Sequence, residues 1–326
     1  MTARFRPAES AGPIHRFPNF GVHMKPLGMM LALLLLSIPA AAQGLGSVTL
    51  LEGSLRLIRG PGVLRGAEGM LLRQGDILES SDRGIVQLEF AGGTVVALGP
   101  SSRLYILRHS TGRAGGGAGS QSVGAQLILL SGWLKGESKS AAGSYRYQTP
   151  LLAATTANGT VVIHSYESGS DAFVESGSAN LAEVSHEGIE RHPEAGKAGQ
   201  FFSGRAGKTL SSFFRPNSAF VDAMPPAFRD TLPSRLARFA GKSVEPKTDH
   251  QVTYAEVQPW LTMPSAWRRD FVDRFEPRLR DPEFRKQIEL HLAEFPEWDL
   301  ILHPEKQHPA TPPAPVPNSE FLQPRE

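Results

Sequence analysis

The sequence contains no cysteine, and this absence excludes several kinds of chemistry at once. Disulfide bonds, thiolate zinc sites, iron–sulfur clusters and cysteine nucleophiles all require a thiol. An excess of one charge is missing as well, because 34 Lys and Arg residues stand against 32 Asp and Glu residues. A nucleic-acid binder needs a concentrated positive surface, so we expect no nucleic-acid partner.

The remaining composition is that of a folded protein with many turns. Hydrophobic residues make up 40% of the chain and charged residues 20%, which excludes wholesale disorder. The 326 residues exceed one ordinary domain, so we expect two folded units with extensions. The 33 glycines and 26 prolines require many turns and some unstructured connections.

Residues 24–42 have the three parts of a secretory signal peptide. Lys25 is followed by an apolar run, and three alanines precede Gln43, where we expect the mature chain to begin. The run is shorter than the roughly 20 residues that span a bilayer, which favours cleavage and a periplasmic location. The alternative is an uncleaved leader that anchors the protein in the inner membrane, the only membrane contact that we expect.

Removal of the leader, residues 1–42, also changes the charge balance. The leader holds four basic residues and one acidic residue, so its loss changes the formal net charge from +2 to −1. The apparent basicity of the chain therefore belongs to the leader, which strengthens the case against a nucleic-acid partner.

Alternation of apolar and polar residues predicts a mainly β domain over residues 43–185. In the segment 85–98, two alternating runs flank a Gly-rich connection, which is typical of a hairpin. Turn signals recur at short intervals, which predicts a sandwich, a roll or a short solenoid. Residues 111–124 contain six glycines and are predicted to form a flexible insert.

An ordered set of short motifs runs through residues 47–184. The motifs are Gly53 after the first strand, Gly75-Asp76-Ile77, Ala91-Gly92-Gly93-Thr94, Gly132-Trp133-Leu134, Thr149-Pro150, Gly159-Thr160-Val161 and Val174-Glu175-Ser176-Gly177. In this order they resemble the FecR domain, the extracytoplasmic β module named for the ferric-citrate regulator. The resemblance implies a binding or regulatory module of the bacterial envelope. The motifs themselves are turn signals, because glycine permits positive φ where the chain reverses.

The remaining chain has a different pattern. Residues 186–212 are polar and Gly-rich and are predicted to be a linker. Residues 213–308 are predicted to be a small α-helical domain, and residues 309–326 a Pro-rich disordered tail. Helix starts are expected at Thr253 and at Ser265.

A third helix start and two apolar stripes support the helical prediction. Asp281 followed by Pro282 is typical of a helix N-terminus. The stripes consist of Trp267, Phe271 and Phe275, and of Phe284, Ile288, Leu292 and Phe295. Their spacing places each set on one helix face. We predict that the two stripes pack on each other in a core separate from the β domain.

We find no motif that predicts a catalytic, cofactor-binding or metal-binding residue. Gly204–Thr209 resembles the end of a phosphate loop, but Phe202 occupies the place of the required first glycine. His186 and His192 lie six residues apart, where a zinc helix needs four. Glu294 and Glu297 lie at a helix end, where exposed charge is expected.

The sequence therefore predicts an exported, non-catalytic binding or regulatory module that contacts an envelope protein or a cell-wall component in the periplasm. Its binding residues are not identified, and no cofactor is expected. Two alternatives remain. One is an envelope hydrolase whose carboxylate pair is assembled across strands. The other is a membrane-anchored signalling protein with an uncleaved leader.

Overall fold

The computed structural model describes residues 45–109, 123–139 and 143–307. The predicted leader, most of the predicted insert 111–124 and the predicted tail 309–326 lie outside the described residues. The fold is mainly β and is followed by a small helical region, as the sequence predicts. Within the described ranges, no helix is long and apolar enough to cross a membrane.

Strands are the predominant secondary structure of the described residues. They are β1 (Gly46–Glu52), β2 (Leu55–Arg59), β3 (Gly62–Arg65), β4 (Leu71–Leu72), β5 (Ile77–Ser80), β6 (Ile85–Phe90), β7 (Val95–Leu98), β8 (Arg103–His109), β9 (Val123–Ser138), β10 (Ser144–Gln148), β11 (Leu152–Thr156), β12 (Gly159–Tyr166), β13 (Gly169–Val184), β14 (Glu190–Lys197), β15 (Phe201–Gly204), β16 (Ser211–Phe213) and β17 (Lys247–Gln251).

The helices are short. They are α1 (Ser218–Ala223), α2 (Tyr254–Leu261), α3 (Phe271–Phe275), α4 (Pro282–Leu290) and α5 (Asp299–Leu302). Single turns of 3-10 helix lie at Pro226–Phe228, Leu236–Phe239, Glu276–Arg280, Pro296–Trp298 and Pro304–Gln307.

The strands form two sheets that share β9 and β13. Sheet A has the order β4-β1-β6-β7-β9-β12-β13-β15-β16. Sheet B has the order β17-β3-β2-β5-β8-β9-β10-β11-β13-β14. The pairing of β9 with β10 is parallel, and the other pairings are antiparallel.

The two shared strands change sheets at glycines. In β9, Ser131 pairs in sheet B and Gly132 pairs in sheet A. Gly132 has φ of +90°, and a Cβ there would lie 2.5 Å from the Cα of Ser102. Only glycine fits a left-handed position this close to another backbone. The glycine of the Gly132-Trp133-Leu134 motif therefore provides the corner between the sheets.

Alternating side chains divide the interior into layers. In each of four strands of sheet B, one residue joins the core between the sheets and its neighbour joins a second core on the outer face. The pairs are Leu57 and Ile58, Leu78 and Ile77, Leu104 and Tyr105, and Leu127 and Ile128. Sheet A alternates in the same way, and its outer face carries a third core. Both sheets are thus covered on both faces.

The helical region has no core of its own, which corrects the prediction of a separate domain over residues 213–308. Phe271 and Ile288 belong to the same buried cluster as Ile58 and Tyr105 of sheet B. The Phe271 ring lies 5.4 Å from the Tyr105 ring, centroid to centroid. Helices of four to nine residues cannot bury an apolar stripe alone, so the stripes pack on the sheet.

The predicted linker 186–212 is corrected as well, because it contains β14, β15 and the start of β16. Phe201 and Phe202 alternate between the outer and inner cores of sheet A, which fixes β15 in the sheet. Strand β13 is bent, with Gly177 at φ of +69° between its two halves.

The helix boundaries follow the predicted signals in part. Glu256 accepts a hydrogen bond from the Thr253 amide at 2.9 Å, and Asp281 caps α4 by accepting from the Glu283 amide at 3.0 Å. The helix predicted from Ser265 begins only at Phe271. The polypeptide between them forms turns whose Trp267 side chain is nevertheless buried.

A segment without strands or α-helices, residues 225–236, crosses the outer face of sheet A, and we call it the strap. Buried Lys135 donates hydrogen bonds to the carbonyls of Phe228 and Asp230, both at 2.8 Å. Glu137 accepts from the Leu232 amide at 2.7 Å. The sheet therefore holds this segment by its backbone.

Glu89 fixes the end of the strap. Its carboxylate accepts hydrogen bonds from the Ser234 hydroxyl and the Arg235 amide, both at 2.6 Å. Burial alone would raise the pKa of Glu89, but these bonds and those from Thr49 and Gln87 outweigh it. The pKa of Glu89 is therefore below its ordinary range, and the carboxylate is charged at neutral pH.

Candidate ligand-binding cleft

The motifs considered for metal or phosphate chemistry lie apart from one another. Gly204–Thr209 forms the connection between β15 and β16, and no helix begins there. His186 lies 2.9 Å from Glu187, and His192 lies 2.9 Å from Glu183, each as a separate exposed pair. Among the described residues, no three His, Asp or Glu side chains gather as metal ligands.

Glu294 and Glu297, the two glutamates near a helix end, do not act as a pair of carboxylates. Glu297 lies 3.0 Å from the Arg268 guanidinium. The same guanidinium donates to the backbone carbonyl of Glu294, whose side chain is exposed. His164 is also a packing residue, since it stacks on Trp133 at a centroid distance of 4.0 Å. Burial lowers the pKa of His164, so the ring is neutral at neutral pH.

A polar cleft of about 470 Å³ lies on the outer face of sheet B, where the sheet meets the helical region. Its walls come from β8, β9 and β10, from the turn before β14 and from the residues before α3. The lining residues are Gln74, Tyr105, Leu107, Arg108, Gln126, Arg146, Gln148, Gly188, Glu190, Ala266, Trp267, Arg269 and Asp270.

Close packing fixes the rim of the cleft. Gly188 has φ of +81°, and a Cβ there would lie 2.9 Å from Nε1 of Trp267. The absence of a side chain lets the turn before β14 pack directly against the helical region. The rim is therefore built from two parts of the chain that are distant in sequence.

The floor of the cleft is a chain of hydrogen bonds. The Gln126 amide donates to the Gln148 carbonyl oxygen, and the Gln148 amide donates to Glu190 at 2.8 Å. Glu190 also lies 3.5 Å from the guanidinium of Arg146. These contacts orient the amides and balance the charge of Arg146.

The opposite wall is held by Tyr105 and Asp270. The Tyr105 hydroxyl donates to Asp270 at 3.0 Å. Burial and the neighbouring carboxylate raise the pKa of Tyr105, so the phenol stays protonated. The two carboxylates of the cleft, Glu190 and Asp270, thus each accept a hydrogen bond from the protein.

Arg146 has a carboxylate partner in Glu190, whereas Arg108 and Arg269 have no carboxylate partner among the described residues. Both side chains are exposed at the cleft, and neither pairs with a carboxylate or a hydrogen-bond acceptor among the residues that the structure describes. A guanidinium presents a planar fork of donors that matches a carboxylate or a phosphate. The cleft is therefore suited to an anionic ligand that also carries amide groups for the glutamines.

A β-bulge places Arg108 at the cleft. The register of β8 against β9 shifts between Ile106 and Arg108, so that Arg108 pairs with Gln126. Strict alternation from Ile106, which faces the core between the sheets, would direct Arg108 into that core. Sequence reasoning missed this residue because a bulge leaves no signal in the alternation pattern.

No known protein family and no curated protein matches this sequence. Solved structures that resemble part of the chain include two from Parabacteroides distasonis ATCC 8503, each of a chain provisionally assigned as an anti-sigma factor. One has 8% identity, a TM-score of 0.34 and covers 43% of this chain and 59% of its own. The other has 10% identity, a TM-score of 0.34 and covers 45% and 64%. This chain spans less than two thirds of either.

Proposed function

We propose that this protein is an exported, non-catalytic binding or regulatory module of FecR type. In this proposal it contacts an envelope protein or a cell-wall component in the periplasm. The observation that carries the proposal is the cleft, where Arg108 and Arg269 face solvent without a counter-ion from the described residues. The signal-peptide pattern and the ordered turn motifs support the location and the family.

The chemistry of the cleft selects the kind of ligand. Two guanidinium groups favour a carboxylate, and the glutamine amides can pair with peptide groups. Carboxylates and amides occur together in proteins and in cell-wall peptides, and both are present in the periplasm. The ligand is therefore a peptide-bearing molecule with exposed carboxylates.

The first prediction concerns the two arginines. Replacing both, as Arg108→Gln with Arg269→Gln, is expected to weaken ligand binding at least tenfold, because each charge-assisted hydrogen bond contributes about 1.5–3 kcal/mol. The test is affinity capture from envelope extract with mass spectrometry, followed by calorimetric titration of the captured ligand. Equal binding by wild type and double variant would place the ligand elsewhere.

A matched control is Arg285→Gln. Arg285 is an exposed arginine of α4 that pairs with Glu289 at 2.8 Å and does not line the cleft. Its replacement changes the net charge without touching the cleft. A loss of binding in this control would mean that overall charge, rather than the site, attracts the ligand.

The second prediction concerns export. Protein recovered from the periplasmic fraction is expected to begin at Gln43, because the three alanines before it match a signal-peptidase site. N-terminal sequencing measures this directly. A chain that begins at Met1 or Met24 and stays in the membrane fraction would support the anchored alternative.

A further inference from the structure

Strand β16 forms one edge of sheet A. Its residues Ser211–Phe213 pair with β15 on one side, and no described strand pairs with the other side. All three residues are exposed. An unpaired edge presents backbone donors and acceptors to any extended chain that approaches it.

Aromatic side chains continue from this edge. Phe214, directly after β16, is 94% exposed, and Phe213 is 51% exposed. The Phe213 ring lies 6.1 Å from the buried Phe201 ring, so it extends the apolar core of the outer face to the surface. Val221 of α1 is a third exposed apolar residue of this stretch of chain. Single exposed apolar residues are ordinary, whereas two successive phenylalanines at an open strand edge indicate an interaction surface.

Two cations flank the edge in sequence. Lys208 precedes β16 and Arg215 follows it, and both side chains are exposed. Neither forms an ion pair or a side-chain hydrogen bond with another described residue. The neighbouring Arg205 is different, because it lies 3.0 Å from Asp171. The edge therefore presents uncompensated positive charge at both ends.

This charge arrangement discriminates between possible occupants. If two copies of the chain paired antiparallel through β16, Lys208 of one copy would approach Arg215 of the other. Like charges across a strand pair are unfavourable, and lysine near an edge is a device against self-association. An acidic chain would instead be attracted at both ends.

We propose that β16 accepts an extended, acidic peptide segment of a partner protein as an additional strand. Backbone hydrogen bonds join the segment to Ser211–Phe213, and its carboxylates pair with Lys208 and Arg215. An apolar side chain of the segment packs on Phe213 and Phe214. This is strand addition, in which the backbone provides adhesion and the side chains provide selectivity.

Because β16 is short, the affinity for a peptide depends strongly on the side chains around it. Three residues offer few backbone hydrogen bonds, so the phenylalanines and the two charges must supply much of the affinity. Removal of either contribution should therefore be measurable. This surface is separate from the arginine cleft, and the two proposals stand independently.

The experiment selects ligands from a display library of random ten-residue peptides with the full chain as bait. Selected peptides are expected to be rich in Asp and Glu and to carry apolar residues at alternate positions. Binding of a selected peptide, measured by fluorescence anisotropy, should weaken at least tenfold in Phe214→Ser. It should also weaken in the Lys208→Glu, Arg215→Glu double variant, which should prefer basic peptides.

Leu290→Ser is the matched control, since Leu290 is an exposed apolar residue of α4 and should leave peptide binding unchanged. Circular dichroism should show that Phe214→Ser is folded, because this side chain is almost fully exposed. The Arg108→Gln, Arg269→Gln variant should retain the peptide, so failure of the cleft proposal would not be confused with failure of this one.

Three outcomes overturn the proposal. One is a selection without acidic enrichment, or peptide binding that Phe214→Ser does not weaken. The second is a dimer in sedimentation velocity that Phe214→Ser abolishes, since a second copy would then occupy the edge. The third is retention on phosphatidylglycerol vesicles that Phe214→Ser abolishes in the absence of peptide selection, since the surface would then bind membrane.

Discussion

Replacing Phe271 by alanine is expected to lower the free energy of unfolding of the whole chain by about 3–5 kcal/mol. Phe271 is buried where α3 meets sheet B, and its ring contacts Tyr105 of the sheet and Phe275 of the same helix. The truncation leaves a cavity between the two layers, which short helices and a hydrogen-bonded sheet fill only in part. Urea denaturation measures the loss.

The shared core also predicts how the variant unfolds. Three of the four tryptophans, Trp260, Trp267 and Trp298, lie in the helical region and the fourth, Trp133, lies in β9. Tryptophan fluorescence therefore reports mainly the helical region, and far-ultraviolet circular dichroism reports the strands. Both signals are expected to change at the same lowered urea concentration, because the helices and sheet B bury one cluster. Leu290→Ala is the control, because this exposed residue should change the free energy of unfolding by less than about 0.5 kcal/mol.

A separation of the two transitions would contradict the shared core. If fluorescence changed first and the strand signal stayed at the wild-type midpoint, the helices would form an independent unit, as the apolar stripes alone suggest. A fragment of residues 213–308 provides a second measurement. We expect it to be unstructured, because its stripes lose sheet B and its β17 loses the pairing with β3.

The alternation of apolar and polar residues in the sequence was a good guide to the β hairpin. Residues 85–98 form the predicted hairpin of β6 and β7. The alternating residues Val86, Leu88 and Phe90 are all buried in the core between the sheets. Period-two alternation is a local property, so it can be read without knowledge of the rest of the chain. The capping signals at Thr253 and Asp281 are local in the same sense.

The packing of the layers could not be read in this way. Leu57 and Ile58 are successive apolar residues, and a strand with both faces buried has this composition. Nothing in the run itself says what covers the second face. The helical stripes do meet in one buried cluster, as predicted, but that cluster is not separate, because it also includes the apolar outer face of sheet B.

The cleft could not be predicted from the sequence either, because its arginines come from distant parts of the chain. Arg108, Arg146 and Arg269 come from β8, from β10 and from the turns before α3. They meet through strand register, a bulge and the docking of the helical region, all of which depend on contacts between distant residues. Each arginine alone is an ordinary exposed charge.

The second large effect is expected at Lys135. Its side chain is fully buried under the strap, donates to the carbonyls of Phe228 and Asp230, and lies 2.7 Å from Glu175. Lys135→Ala is expected to lower the free energy of unfolding by about 3–5 kcal/mol, because it leaves the buried Glu137 carboxylate, 3.8 Å away, without its cation and two strap carbonyls without a donor. Urea denaturation measures this loss, and exposed Lys197→Ala is the control.

The strap supplies a readout that is specific to this site. Arg229 lies between the two carbonyls that Lys135 holds, and Arg235 lies beyond them, so both are trypsin sites on a segment fixed by its backbone. In Lys135→Ala, cleavage after Arg229 should become faster, while cleavage after Arg235 should change less because Glu89 still accepts from its amide. If the variant is destabilised but cleavage at Arg229 is unchanged, Lys135 stabilises the sheet rather than the strap. If neither quantity changes, the carbonyls and carboxylates around Lys135 are satisfied without it, and the strap is held by the Glu137 and Glu89 hydrogen bonds and the apolar contacts of Phe228 and Leu232.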